Sequence, residues 1–331
     1  MGRIKAAAAC ASLVVALGAC SSGGGGDKPQ AKPTKDAAGA LQVWVRGSGD
    51  SQKAYQAIFD AFTKKTGVKV NMFMTLTDFE TKFNAAAAAK NLPDLVINDA
   101  AQLGSLETQG VLRKVDRNAI KGQNQISDKT WNQAKDLNGL YFAVPFSVQA
   151  NVLYVRSDWL QQAGLQAPKT WDDYVKVAKA FTKGNQYGVG IPGSTQRGYA
   201  AWYWSNYLFA AGGDFVKPAG KGKYKPTVNS PAAVKAADFL KSLVCTDKVA
   251  QPGVANAVTT DANKAFYTGV TGTYLTGPYS FAAFDAYPVK GHYQVVAPPK
   301  GPKSDAVLAE GTNMYFMTGA KHPNAADKLA E

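Results

Sequence analysis

The chain has 331 residues, with 37 Lys or Arg against 24 Asp or Glu and a formal net charge of +13. That length exceeds what one hydrophobic core fills, so two domains are expected. The basic residues are thinly spread, as at Lys64-Lys65 and Lys217 to Lys225, without an arginine-rich stripe; this excludes a nucleic-acid-binding module and leaves a solvated basic surface or one drawn to anionic envelope polymers or lipid head groups.

Arg3 and Lys5 precede an apolar run from Ala6 to Gly18, shorter than the about 20 residues that a bilayer-spanning helix needs. The segment reads as a cleaved export signal. It closes on Leu17-Gly18-Ala19-Cys20, which resembles a lipobox and implies that Cys20 is acylated and becomes the mature N-terminus. Ser21 to Ala40 is Ser/Gly-rich and then Lys/Pro-rich, a flexible tether with a reach of roughly 25 Å. With Cys10 discarded and Cys20 acylated, Cys245 has no partner, and no internal disulfide is expected.

Past the tether, Leu41 to Val45 alternates as a strand and is broken by Arg46-Gly47-Ser48-Gly49-Asp50. Tyr55, Ile58, Phe59 and Phe62 form one helical face closed by Gly67, and Val68 to Met74 reads as a second strand. Thr77 to Glu80 has the capping-box pattern before the alanine run, and Leu95-Val96-Ile97 is a short buried strand. Strand, helix, strand, helix, strand predicts a mainly parallel α/β sheet covered on both faces, with ligands held outside the carboxyl ends of its strands. Further on, Asn151 to Val155 reads as a strand leading into a short helix, Thr170 to Asp173 caps a helix bearing Tyr174, Val177, Ala178 and Phe181, and six aromatics crowd between Tyr199 and Phe209. Ser230-Pro231 opens another helix, Val270 to Leu275 is strand-like before Gly277-Pro278-Tyr279, and a last helix begins at Asn324.

Seven pieces in this order resemble the extracellular solute-binding proteins of family 1, the sugar-binding subunits of ABC importers. They are the strand with Trp44; Phe62 to Val70; Leu92 to Val96; Asn138-Gly139-Leu140-Tyr141 with Val144-Pro145; Lys169 to Asp172; Gly269 with Gly277-Pro278-Tyr279; and His322 to Ala326. The resemblance implies a two-lobed periplasmic-binding-protein-like fold of type II, with hinge strands and a ligand cleft. The first lobe would hold 41–148 and about 296–318, the second 149–294, and 319–331 would start a helix returning to the second lobe. Family members usually run on for a further stretch that this chain lacks.

Sugars present vicinal hydroxyls and an apolar C–H face, so their capture needs planar polar groups and aromatic rings. On the first lobe the candidates are Arg46, Ser48, Asp50, Asn98 and Asp99, from the strand ends. Gln149 falls where maltose-binding members carry a cleft carboxylate. Trp202, Trp204 and Tyr279 are the candidates on the second lobe, whereas Trp44 and Trp171 are read as structural. The expected protein is a monomeric, non-enzymatic lipoprotein on the outer face of the cytoplasmic membrane, with a sugar or oligosaccharide ligand, permease partners and neither cofactor nor metal. Two histidines, His292 and His322, lie beside no nucleophile motif, and neither HExxH nor Gly-x-Ser-x-Gly occurs. The alternatives are the same fold taking a glycerol phosphodiester, peptide or polyamine, a surface adhesin, or a surface carbohydrate-active enzyme.

Overall fold

The structure is a computed structural model that describes residues 35–47, 49–220 and 223–331. Cys20, the export signal and all but the end of the tether lie outside the described residues.

In β1 (Leu41–Arg46), Leu41, Val43 and Val45 are fully buried while the residues between them are not, the alternation a strand on a packed layer requires. It pairs in parallel with β2 (Val70–Thr75) and β3 (Leu95–Asp99), as the local pattern predicts. Helices Gly49–Thr66 and Phe79–Ala88 connect these strands and bury Phe59, Phe62, Phe79 and Phe83. Ile58, assigned to the same face, stays 45% exposed. Gly67 ends the first helix at φ +75°, a conformation open to glycine. The sheet is mixed rather than mainly parallel: β4 (Ala143–Ala150) and β11 (Ala309–Phe316) complete it antiparallel, in the order β2-β1-β3-β11-β4.

A second sheet, β10-β5-β9-β6, joins β5 (Val152–Arg156), β6 (Tyr187–Gly190), β9 (Thr271–Thr276) and β10 (Tyr293–Val296). Helix Trp171–Phe181 packs on it through Tyr174, Val177, Ala178 and Phe181. Its capping box forms as expected, with the Thr170 hydroxyl accepting from Asp173 N at 3.2 Å and Asp173 Oδ2 accepting from Thr170 N at 3.1 Å. Ser230 likewise caps helix Pro231–Lys241. The anticipated box at Thr77 does not form, because Asp78 occupies the cap position without a side-chain bond and the Glu80 carboxylate is engaged elsewhere. A short antiparallel ribbon, β7 (Val216–Pro218) with β8 (Tyr224–Pro226), stands apart from both sheets.

Each sheet has its own buried core, and the two cores share no residue. The chain crosses between the lobes at Asn151 and again between β10 and β11. Asn206, on helix Tyr199–Ala210, ties the crossings together: its Oδ1 accepts from Asn151 Nδ2 and from Leu308 N, each at 3.1 Å, and Asn151 N donates to Leu308 O at 3.0 Å.

The terminal helix Pro323–Ala330 does not return to the second lobe. Ala325 and Ala326 are buried in the first core, and Asp94, 2% exposed, accepts from Lys321 N at 2.6 Å and from His322 N at 2.8 Å. Asp36, next to the first described residue, accepts from Asn324 N at 2.8 Å and Ala325 N at 2.9 Å, so the chain enters the body on this helix.

Replacing Asn206 with Ala strands two donors at the crossing, the buried Asn151 Nδ2 and the partly buried Leu308 N. Unsatisfied buried donors cost about 1–3 kcal/mol each, so chemical denaturation of Asn206→Ala should show a loss of roughly 2–5 kcal/mol, against under about 1 kcal/mol for a substitution at the exposed Lys64.

Candidate ligand-binding cleft

Arg46 ends β1 and Asp99 ends β3, adjacent positions at the carboxyl edge of the parallel strands. The Arg46 side chain is 14% exposed; its Nη1 pairs with Asp99 Oδ2 at 2.9 Å and its Nε with Glu80 Oε1 at 3.2 Å. From the second lobe, Arg197 Nη2 reaches the same Glu80 oxygen at 2.8 Å, and its Nη1 donates to Leu76 O at 3.3 Å. Arg197 holds φ +52°, in the left-handed region a side chain avoids unless its surroundings demand it. Two arginines and two carboxylates thus alternate across the mouth between the lobes.

Deeper in, β11 sets Glu310 opposite Gln149 of β4. Glu310 Oε2 accepts from Trp202 Nε1, on the second lobe, at 3.0 Å, and Oε1 is buried without a hydrogen-bond partner among the described residues. Desolvation raises the Glu310 carboxyl above its ordinary range, and the Asp99 charge adds to this; the Trp202 indole, the Tyr279 phenol and Arg46 work against it. Asp99 is raised as well, first by desolvation and also by Glu80, with Arg46 and Arg197 opposing. Tyr279 follows β9 in the turn Pro278–Ser280 and stays 48% exposed, its hydroxyl 3.4 Å from Thr276 Oγ1. A methyl at Gly277 would lie 2.2 Å from the Tyr279 ring, so only glycine lets the ring fold back there.

The structure therefore brings Arg46, Asp99, Gln149, Trp202 and Tyr279 to one junction. Ser48 and the Asp50 side chain lie outside the described residues. Asn98 is turned inward, 3% exposed, its Oδ1 accepting from Asp99 N at 2.7 Å; it supports the strand end and does not face the cleft. Trp204, two positions beyond Trp202 on the helix and so roughly 200° around it, packs edge-on against Phe215 at 5.6 Å on another face. Three participants, Glu80, Arg197 and Glu310, are not anticipated from sequence. Glu80 reads there as a helix cap, and only the placing of β11 beside β4 brings Glu310 to the floor. One signal for Glu310 was present: a charged residue entering a strand that is otherwise polar-neutral and apolar.

Residues 47–331 match the family described as bacterial extracellular solute-binding protein. The chain belongs to that family. A probable ABC transporter-binding protein of Deinococcus radiodurans is 30% identical over 210 residues, 60% of this chain and 48% of that protein. The fructooligosaccharide ABC transporter substrate-binding protein of Streptococcus pneumoniae is 29% identical over 155 residues, 40% of this chain and 28% of its own length. The chain thus spans about half or less of the curated relatives it matches. In fold, this solute-binding protein superposes on the solute-binding protein of Thermotoga lettingae bound with α-D-tagatose at TM-score 0.78, with 22% identity over 88% of this chain and 76% of the other. The GacH receptor of Streptomyces glaucescens, studied unliganded and with acarbose, gives TM-score 0.77 and 21% identity over 89% and 75% of the two chains. The two-lobed α/β architecture is that of these proteins. No helix among the described residues is long and apolar enough to cross a membrane.

The raised carboxyls fix the sign of a pH effect. A carboxylate whose folded-state affinity for protons exceeds its unfolded one penalises stability once ionised, so the penalty is full above the raised folded value and vanishes below the ordinary glutamate range of about 4.3. Thermal melts should therefore show Glu310→Gln at least as stable as the parent near neutral pH, with the advantage fading as the pH falls toward about 4.3 and absent below it.

Proposed function

We propose that this chain is the capture subunit of an ABC importer and holds a sugar or oligosaccharide between its lobes, without chemical turnover. The observation that carries the reading is the Trp202–Glu310 pair: an indole from one lobe hydrogen-bonded to a carboxylate at the floor of the other places an aromatic face beside a strong acceptor. Saccharides need both, since the ring covers their C–H face while the carboxylate takes their hydroxyl protons. Tyr279 supplies a second ring, Gln149 an amide that can both donate and accept, and Arg46 and Asp99 hydroxyl partners at the mouth. The sugar ligands named for the structural neighbours and the fructooligosaccharide relative support this class.

Closure about the two crossings traps the ligand and presents the closed form to the permease subunits. The lipobox at Cys20 and the tether behind it would hold the protein, as a monomer, at the outer face of the cytoplasmic membrane, a diacylglyceryl group giving durable attachment where one chain gives only marginal binding.

A thermal-shift screen of the tether-free protein against mono-, di- and trisaccharides tests the reading, because a ligand at 100 times its dissociation constant adds about 2.7 kcal/mol to stability. A stabilising shift from one sugar class is expected. A shift only with phosphodiesters, peptides or polyamines would transfer the site to another solute, and release of a cleaved sugar would make the protein an enzyme. For a sugar that binds, Trp202→Ala should weaken affinity by about 10- to 100-fold in calorimetry, through loss of stacking and of the Glu310 partner, while Trp204→Phe should change it by under about threefold.

A further inference from the structure

In the second lobe, helix Thr259–Tyr267 precedes β9 and the short helix Phe281–Asp285 follows it. The two helices meet through Phe266 and Phe284, both fully buried, with ring centroids 4.7 Å apart. Each of these anchors has a tyrosine close behind it. Tyr267 follows Phe266 directly, and Tyr287 lies one turn past Phe284, its N donating to Phe284 O at 3.2 Å. The two phenol rings stack with centroids 3.7 Å apart and planes 5° from parallel. That is closer than the roughly 4.5–7 Å at which aromatic pairs usually settle, and it leaves little room for the lateral offset that ring quadrupoles favour.

The Tyr267 phenol is held above its ordinary value, first by the neighbouring Tyr287 hydroxyl and then by burial, so the two hydroxyls lie at the same end of the stack. A head-to-head stack sets each carbon ortho to one hydroxyl over its counterpart in the other ring. Tyr287 is 44% exposed and Tyr267 half-buried, so the pair is open to solvent along one edge. The other tyrosine pairs in ring contact among the described residues are Tyr154 with Tyr293 and Tyr203 with Tyr207. They are tilted by 51° and 60°, with centroids 5.7 and 5.6 Å apart. Neutral ring faces repel, but a ring that has lost an electron shares its charge with the face beside it. The stack therefore eases one-electron oxidation and holds two radicals where they can join. The family is an extracellular one, outside the compartments that the cell keeps reducing.

We propose that Tyr267 and Tyr287 are a modification site at which a haem peroxidase acting with hydrogen peroxide joins the two rings as dityrosine. Each phenol gives up one electron and one proton, and the peroxide takes both pairs to become two waters. The radicals form a carbon–carbon bond between positions ortho to the hydroxyls. The hydrogens on the joined carbons then move to the oxygens as the rings regain aromaticity. The link closes residues 267–287 into a covalent loop that contains β9 and the turn bearing Tyr279. It is independent of whatever the cleft binds.

The full-length protein, with its thiols alkylated beforehand, can be treated with a haem peroxidase and hydrogen peroxide. Dityrosine fluorescence, molecular size and mass spectrometry of the digested product report the outcome. A monomeric product lighter by two hydrogens is expected, with the peptides bearing Tyr267 and Tyr287 joined. Tyr267→Phe and Tyr287→Phe keep both rings and the burial around them, and each should abolish that product and most of the fluorescence. Tyr224→Phe, at a tyrosine 50% exposed and outside these ring contacts, should leave both unchanged. The proposal is overturned if the oxidised monomer lacks the joined peptides, or if other tyrosines are joined in comparable yield. It is overturned as well if the product is mainly dimer, or if either phenylalanine variant keeps the fluorescence of the parent.

Discussion

The fold depends on a single amide. The two cores share no residue, so hydrophobic burial stabilises each lobe separately and says nothing about their register. Register comes from the crossings, where Asn206 serves both strands with one carbonyl oxygen while its amide donates to Tyr203 O at 3.1 Å. A buried amide that satisfies donors from two segments makes the junction specific without making it rigid, because a hydrogen-bonded crossing bends at a lower energetic cost than a packed core deforms. Trp202 and Asn206 lie one turn apart on the same helix, so the element that sets the hinge also carries the ring that meets Glu310. Hinge geometry and cleft geometry are therefore coupled through one rigid body.

The electrostatics of the junction divide by depth. At the mouth, Arg46, Glu80, Asp99 and Arg197 neutralise one another across both lobes. Partly exposed pairs of this kind contribute little each, about 0–1 kcal/mol, so they hold the two lobes together only weakly. On the floor, Glu310 has the Trp202 indole for one oxygen, and the other is buried without a hydrogen-bond partner among the described residues. A desolvated acceptor left half satisfied costs stability.

The local elements were legible in the sequence because their signals are local. Strand alternation in Leu41 to Val45, the Thr170 and Ser230 caps and the apolar face of Tyr174 to Phe181 depend only on near neighbours, and the fold keeps them. What could not be read were the placements that sequence separation hides. β11 joins the first sheet from more than two hundred residues beyond β1, turning a parallel expectation into a mixed sheet and bringing Glu310 beside Gln149. Glu80 had two valid local uses, cap or ion-pair partner, and the arginine from the other lobe decided between them. Trp202 and Trp204 are equivalent as letters; the helical turn separates them, and the burial of Tyr203 and Tyr207 decides which side faces inward.

Asp36 binds the first turn of the terminal helix, whose preceding residues are fastened to Asp94. The first described residues therefore sit on the first lobe, beside its core. A pull applied at Asp36 is borne by two carboxylates and a short helix, not by the crossings at Asn151 and Leu308. Force applied at Asp36 would load the first lobe directly and reach the second only through the crossings.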